Sequence, residues 1–507
     1  MKQFLKDKKA MLILGVLLVL GIIFRFVNLT QVPVFADEAI YLRWAQIMRA
    51  EETLRFLPLS DGKQPLYMWT VIPFFKFISD PLVAGRILSI LTGLATGIFI
   101  YLSSRLLFEN KKVAILAFAV SMLSPFLIFF NKLALVDSML AMFGVMTFFF
   151  TLLTAKTRRN DWAIVAGACL GAAYLTKSPA LFFALGIPFS LLLFSYKGKG
   201  FKGILNAIFL IALIETIGYA ISNILRLGPN FHLIKMRNMD YVYPINHILE
   251  SPFSPFVSHF KASFEYLWIM GPSALLGLFF LGIFTNLRKY WREIIFTLAF
   301  IAIPLIANSE YAKVYTARYM LYMVPFIALL AGNAIDYKNK ILNVVVNILI
   351  ILFIGHSLFI NLETIYAVEK VNLPRGERSG YFEEWTAGYG IKEISEFLKE
   401  ERKDNSNKKI VVGTEGYFGT LPDGLQMYMS DTPEVIVIGV GLGIDRIPNP
   451  LLESFKSGNS TYLVVNNSRL LGNPEKMGME IVAAYPKQVR PDGSRESLYL
   501  LKVKGIR

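Results

Sequence analysis

Long apolar runs separated by short basic loops fill this chain as far as about residue 362. A run of roughly 17 to 25 apolar residues is long enough for a helix to cross a bilayer. Such runs centre on 11–28, 82–107, 112–131, 135–155, 161–176, 179–196, 202–222, 263–286, 292–308, 316–335 and 341–362, and predict about eleven spans. The segment Leu66 to Ile78 is apolar but shorter, follows Pro65 and contains Pro73. It predicts an interfacial or re-entrant helix.

The charges between the runs give a direction. One set of loops carries Arg105, Lys111 and Lys112; Lys156, Arg158 and Arg159; Lys197, Lys199 and Lys202; Arg288, Lys289 and Arg292; and Lys338 with Lys340. The intervening short loops hold only isolated Lys132, Lys177 and Lys313. Basic residues favour the cytoplasmic side, so the alternation predicts an N-terminus inside and a C-terminus outside. Counting Leu66–Ile78 as a span would invert every later loop.

Two outer segments are long, 222–262 and the part from about Glu363 to Arg507. In the latter, Gly390 to Glu401 has helical periodicity, and Lys409–Gly413, Glu434–Ile438 and Tyr462–Val465 read as buried strands. Strands alternating with helices predict a small α/β domain. The expected organisation is a polytopic α-helical membrane domain over 1–365, with an outer loop at 30–80, and an extracytoplasmic α/β domain over 366–507. No internal repeat is visible, which argues against transporters built on inverted repeats.

Composition sharpens the class. Of 507 residues, 54% are hydrophobic and 18% charged, which excludes an ordinary soluble domain. The net charge of +15 lies mostly in short loops, so it reads as a topology signal and an attraction to anionic lipid, with no nucleic-acid partner. The first run is too long for a signal peptide and lacks a small-residue cleavage site, so it reads as an anchor in a plasma or inner membrane. Cys169 is the lone cysteine, so no intramolecular disulfide forms.

Topology then sorts the candidate chemistry. Asp37 and Glu38, Lys63, Asp137, Lys177 and Arg318 all fall on the predicted outer face. Transfer from a lipid phosphate needs such a set. A carboxylate takes the proton of an acceptor hydroxyl. Cations hold the phosphate and stabilise its charge as it leaves. Each residue also has a plainer reading. Lys63 could be a snorkelling anchor, Lys177 a topological charge, and Arg318 a cap or a partner of Glu310. Asp137 could cap its helix, and Tyr41 and Tyr67 could belong to an aromatic belt. Glu215 lies deep in the seventh run, either paired or on a proton path. His232, His247, His259 and His356 show no metal-ligand spacing.

The same residues carry a resemblance. The acidic pair, Lys63-Gln64-Pro65-Leu66-Tyr67, Ala134-Leu135-Val136-Asp137, Leu175-Thr176-Lys177-Ser178-Pro179 and Arg318-Tyr319 occur in an order that resembles the dolichyl- and polyprenyl-phosphate-sugar glycosyltransferases. These include the protein O-mannosyltransferases and the lipid A aminoarabinose transferases, which share the C-type glycosyltransferase fold. The resemblance covers roughly the first 335 residues, and Trp385-Thr386-Ala387-Gly388-Tyr389-Gly390 resembles the start of the outer domain in bacterial members. It implies Asp37 as catalytic base, Glu38 as its companion and Asp137 as the second-loop carboxylate. It also implies that Lys63 serves the donor phosphate and that Arg318 is the arginine preceding a tyrosine near the late spans; Arg318 and Lys177 join Lys63 as candidate phosphate ligands, and Tyr41, Tyr67 and Tyr319 are candidate substrate-lining residues. Gln64 replaces the first proline of the family's Lys-Pro-Pro-Leu-Tyr segment. Ile40 departs from the aminoarabinose pattern Asp-Glu-x-Arg-Tyr, which argues against lipid A modification. The family differs internally over metal use and leaves a divalent ion open.

The resulting expectation is a membrane glycosyltransferase. It moves a single sugar from a polyprenyl phosphate to an extracytoplasmic lipid, glycan or protein, with inversion. The lipid-linked sugar is the implied cofactor. The rivals are a transporter or flippase of lipid-linked substrates, with Glu215 on its path, and a non-catalytic envelope scaffold. Tyr381, Trp385 and Tyr389, just beyond the last run, are expected to shape the acceptor entrance together with the loop 222–262. The orientation is directly testable. Cysteines introduced at Asn246 and Gly416 should label from outside intact cells, and one at Lys199 should not. Labelling at Gly416 only after permeabilisation would reverse the topology.

Overall fold

A computed structural model describes residues 7–198, 200–335, 340–404 and 408–505. Lys199 and Lys338, both used in the charge pattern, lie outside the described residues. The chain divides into two compact units, one of Met1–Asn28, Arg55–Thr70 and Arg86–Pro374, the other of Leu29–Leu54, Val71–Gly85 and Arg375–Arg507.

The first unit is helical, and every apolar run falls on helix within the described residues. Among the described residues, six helices are long and apolar enough to cross a membrane: Lys8–Phe26, Pro81–Phe108, Val136–Thr157, Gly200–Leu227, Leu287–Tyr311 and Lys340–Tyr366. Two further runs are bent pairs, Lys111–Leu123 with Pro125–Asn131 at 50° and Phe256–Met270 with Ser273–Phe284 at 114°. Counted as single spans, they bring the number to eight. Pro125 at the first bend and Gly271-Pro272 at the second are the local causes. The remaining runs form the shorter helices Asn160–Thr176, Ser178–Leu193 and Val324–Ile335. Periodicity therefore found the helices, and the breaks decide how many are full spans. Leu66–Val71 and the 3₁₀ turn Ile72–Lys76 make a short helical stretch, too short to cross.

Close packing of small residues holds this unit together. A Cβ on Gly282 would stand 1.8 Å from the Leu330 carbonyl oxygen, and one on Gly171 would stand 2.5 Å from the Ile221 Cβ. Phe148, Phe296, Phe300 and Phe326 form an aromatic cluster. Phe148 stacks on Phe296 at 4.5 Å between ring centroids, and Phe300 meets Phe326 at 5.0 Å. The cluster locks Val136–Thr157 to Leu287–Tyr311 and Val324–Gly332.

The second unit is α/β. Two short strands, β1 (Val34–Phe35) and β2 (Ala387–Gly388), pair antiparallel. A five-stranded mixed sheet contains β3 (Ile410–Glu415), β4 (Val435–Gly441), β5 (Ser460–Asn466), β6 (Met479–Val489) and β7 (Arg495–Val503), in the order β4-β3-β5-β7-β6. β3 runs parallel to β4 and β5, and β7 is antiparallel to β5 and β6. The interior strand β3 is buried throughout, as a strand covered on both faces should be. Ile391, Ile394 and Leu398 turn one side of the helix Ile391–Asp404 inward. Its Glu401 accepts a 2.9 Å hydrogen bond from the Tyr462 hydroxyl. Leu451, from the helix Asn449–Lys456, packs with Val411, Leu463, Val465 and Leu501. The helix Ala36–Ala50, which begins with the acidic pair, packs in this unit against Asp423–Tyr428.

Lys487 on β6 is buried, and its Nζ donates to the Glu384 carbonyl oxygen at 3.0 Å. Burial pushes its ammonium from 10.5 down to about 8, against the opposing pull of Glu496, Glu415 and Glu384. Its folded pKa lies below the unfolded one, so the unfolded chain binds more protons between those values. Thermal stability should therefore rise from pH 8 towards 10.5. Lys487→Met should flatten that slope in melts of the whole protein, and an unchanged slope would show that Lys487 is not its source.

Candidate active site

Asp137 lies in the first turn of Val136–Thr157, where the helix dipole favours an anion. Its surface is only 1% exposed. A carboxylate so far from water needs partners, and two cations supply them. Lys177 Nζ donates to Asp137 Oδ1 at 2.7 Å, and Arg318 Nε stands 3.8 Å from Oδ2. Lys177 caps the end of Asn160–Thr176, and Arg318 sits in the 3₁₀ turn Ala317–Met320. Tyr319 lies beside both, its ring centroid 5.0 Å from Lys177 Nζ and 6.0 Å from Arg318 Cζ. The Lys177 and Arg318 side chains keep 21% and 15% of their surface exposed, so an anion can still reach them. Asp137 thus holds two cations in place.

The start of the Asp137 helix is held by a polar knot. Arg25, fully buried in the first apolar helix, donates through Nε to Asn131 Oδ1 at 3.1 Å and through Nη1 to the Gly21 and Met122 carbonyls at 3.0 Å each. Asn131 Nδ2 in turn donates to Ser138 Oγ at 2.9 Å. Lys132 donates to the Val27 carbonyl at 2.9 Å and is buried there.

Lys63 enters from the turn Asp61-Gly62-Lys63-Gln64. Asp61 stands 3.4 Å from Lys63 Nζ and 3.4 Å from Arg237 Nε, so one carboxylate gathers two cations. Gly62 has φ of +64°, and a Cβ there would stand 2.4 Å from the Arg237 Cβ. Both conditions demand glycine. Gln64 Nε2 donates to Ser178 Oγ at 2.8 Å, and Ser178 Oγ meets Asn238 Oδ1 at 3.4 Å. This chain ties the Lys63 turn to the residue after Lys177 and to the helix Leu233–Tyr241 of the long loop 222–262.

The acidic pair belongs to the second unit. Glu38 is fully buried and accepts the Phe35 backbone N–H at 2.9 Å, which caps the helix Ala36–Ala50. Asp37 is half-buried in the same first turn. Tyr41 is buried beside Trp44, with 6.3 Å between ring centroids. Tyr381 is buried against Phe35 at 4.6 Å, Tyr389 is half-buried, and Trp385 is exposed beneath the Arg469 guanidinium. In the first unit, Tyr67 is fully buried, its hydroxyl 3.0 Å from Ser89 Oγ.

Sequence reasoning missed Arg25, Asn131, Arg237 and the Gln64–Ser178–Asn238 chain. A charge inside the first apolar run was the available signal for Arg25. Among the described residues, no group of three or more His, Cys, Asp or Glu could hold a metal ion.

Residues 62–219 match the family model of dolichyl-phosphate-mannose-protein mannosyltransferase. The matched segment contains Lys63, Asp137 and Lys177, and neither Asp37 nor Arg318. No curated protein sequence matches the chain. The structure resembles ArnT from Cupriavidus metallidurans bound to undecaprenyl phosphate, with a TM-score of 0.58 and 15% identity over 98% of each chain. The apo state of the same protein aligns with a TM-score of 0.57 and 14% identity, over 98% of this chain and 99% of that one. The chain therefore shares the fold of ArnT. The family match over residues 62–219 agrees with the resemblance read from the dispersed motifs around Lys63, Asp137 and Lys177.

The Asp137 centre makes a quantitative prediction. Lys177→Met should cost on the order of 3 kcal/mol in detergent unfolding, because it strips one partner from a buried carboxylate. Asp137→Asn in the same chain should recover part of that loss, a non-additivity visible in a double-mutant cycle. Strict additivity would show that the pair is uncoupled.

Proposed function

We propose that this protein is an integral membrane glycosyltransferase that moves one sugar from a polyprenyl-phosphate donor to an extracytoplasmic acceptor. The observation that carries the reading is the pairing of Lys177 and Arg318 on buried Asp137, joined through Ser178 and Gln64 to the turn that brings Lys63 and Arg237 together on Asp61. Such partly exposed cations, fixed by carboxylates, suit a lipid phosphate. The family match over 62–219 and the fold shared with ArnT support the same class of donor.

In this reading Asp37 accepts the proton of the acceptor hydroxyl. The hydroxyl oxygen bonds to the anomeric carbon as the bond from that carbon to the phosphate oxygen breaks. The polyprenyl phosphate leaves with the bonding electrons, its charge held by Lys63, Lys177, Arg318 and Arg237. One displacement inverts the anomeric configuration. Glu38 fixes the start of the Asp37 helix, and Tyr319 packs beside the cations. Tyr41 and Tyr67, expected to line the substrate, are both buried and serve in this reading as packing beneath the site. The acceptor is a lipid, a glycan or a protein on the outer side, and the enzyme resides in the plasma or inner membrane.

Asp37→Asn should lower turnover at least about a hundredfold and leave donor binding intact. Lys63→Ala and Arg318→Ala should weaken use of the lipid-linked donor, with Lys63→Arg restoring it only in part. Transfer assays with a polyprenyl-phosphate sugar measure all four. Full activity with a nucleotide sugar and no lipid carrier would overturn the donor assignment.

A further inference from the structure

Three parallel strands of the second unit end at one edge of the sheet, β3 at Glu415, β4 at Gly441 and β5 at Asn466. The chain leaves β3 for β4 on one side, then crosses to β5 on the other. The carboxyl ends of β3 and β5 therefore flank a topological switch point, where open α/β sheets hold their ligands.

The residues at this point are chemically loaded and unused by the mechanism above. Glu415 is buried and accepts hydrogen bonds from both the backbone N–H and Nδ2 of Asn466, each at 2.7 Å. Burial pushes its carboxyl above the usual range, against those bonds and the pull of Arg469 and Lys487. Asn466 is 2% exposed, and its Oδ1 is buried without a hydrogen-bond partner. A buried amide oxygen left unpaired is costly and points to a missing donor. Arg469 Nε stands 3.6 Å from Glu415, and its guanidinium lies 4.8 Å from the Trp385 ring centroid.

Around this set, each strand's following loop exposes large apolar side chains: Tyr417 and Phe418 after β3, Leu442 after β4, and Leu471 beyond β5. The loops touch. Leu442 reaches within 3.9 Å of the Cβ position of Gly416, and Leu471 within 3.1 Å of that of Gly443. Exposed aromatics grouped in this way mark a binding surface. Aromatic faces take the C–H face of a pyranose ring, and a carboxylate, an amide and a guanidinium take its hydroxyls.

We propose that this edge is a carbohydrate-binding subsite that holds the glycan portion of the acceptor. Its service to the acceptor rests on the glycosyltransferase reading, whereas its binding of carbohydrate does not. Trp385 and Tyr417 supply the ring platform, Arg469 and Asn466 Oδ1 meet the hydroxyls, and Glu415 holds both in register.

The test uses the full chain in nanodiscs and, as probe, the mixed oligosaccharides released by mild acid from the envelope of the producing cell, read by saturation-transfer NMR. Wild type should bind saturably. Trp385→Ala and Tyr417→Ala should each weaken binding about tenfold, the loss of one aromatic anchor, with unchanged melting temperatures. Asp37→Asn should bind as wild type does, so failure of the catalytic reading would leave this result standing. Absence of saturable binding, or equal binding by both aromatic variants, would overturn the subsite. A photo-reactive benzoylphenylalanine at position 417 that captures phospholipid in place of glycan would make the edge a membrane contact and overturn it equally.

Discussion

The ion triad of Asp137, Lys177 and Arg318 is the constraint from which the rest of the helical unit follows. A carboxylate sealed from water at a helix start is tolerable only if opposite charge comes to it. That requirement fixes the end of one helix at Lys177 and the turn before another at Arg318. Each cation then keeps part of its surface open. The Phe148 cluster and the Arg25 knot hold the Asp137 helix in place. Rigidity beneath a site and partial access above it are what anion recognition needs.

Much of this was legible in the sequence, and the parts that were not share a cause. Apolar runs announce helices because each must satisfy its own backbone in lipid. The breaks at Pro125 and Pro272 lie within runs that read as continuous, so span number was not legible. Asp137, Lys177 and Arg318 stood out as charges beside apolar runs, yet which cation meets which carboxylate is a tertiary fact. Arg318 was equally open to Glu310 by sequence distance. Arg25 drew no notice, since a single charge near the end of an apolar run resembles a snorkelling residue. Its four carbonyl and amide acceptors come from three separate segments.

In the second unit, β3 and β5 were read as buried strands and are buried, because such strands are continuous apolar runs, whereas β4, also read as buried, lies at the sheet edge and is mostly half-exposed. The hairpin of β6 and β7 was not read. Its residues alternate with Lys, Glu, Arg and Tyr, the signature of an edge with one wet face. The aromatic segment 381–389 was singled out as a group, and the structure separates its members. Tyr381 is core, while Trp385 faces outward under Arg469.

The Gln64–Ser178–Asn238 chain has a consequence for protein engineering. Its three members come from a turn, a helix end and the long loop 222–262, far apart in sequence. Loop 222–262 is thus not a free module. A graft that replaced it with a relative's loop would take away the Asn238 acceptor of the Ser178 hydroxyl and the Leu233 and Arg237 atoms that pack on Gly62. Recombination among such proteins must therefore exchange residues 62, 64, 178 and 238 as one set, with crossovers placed outside them.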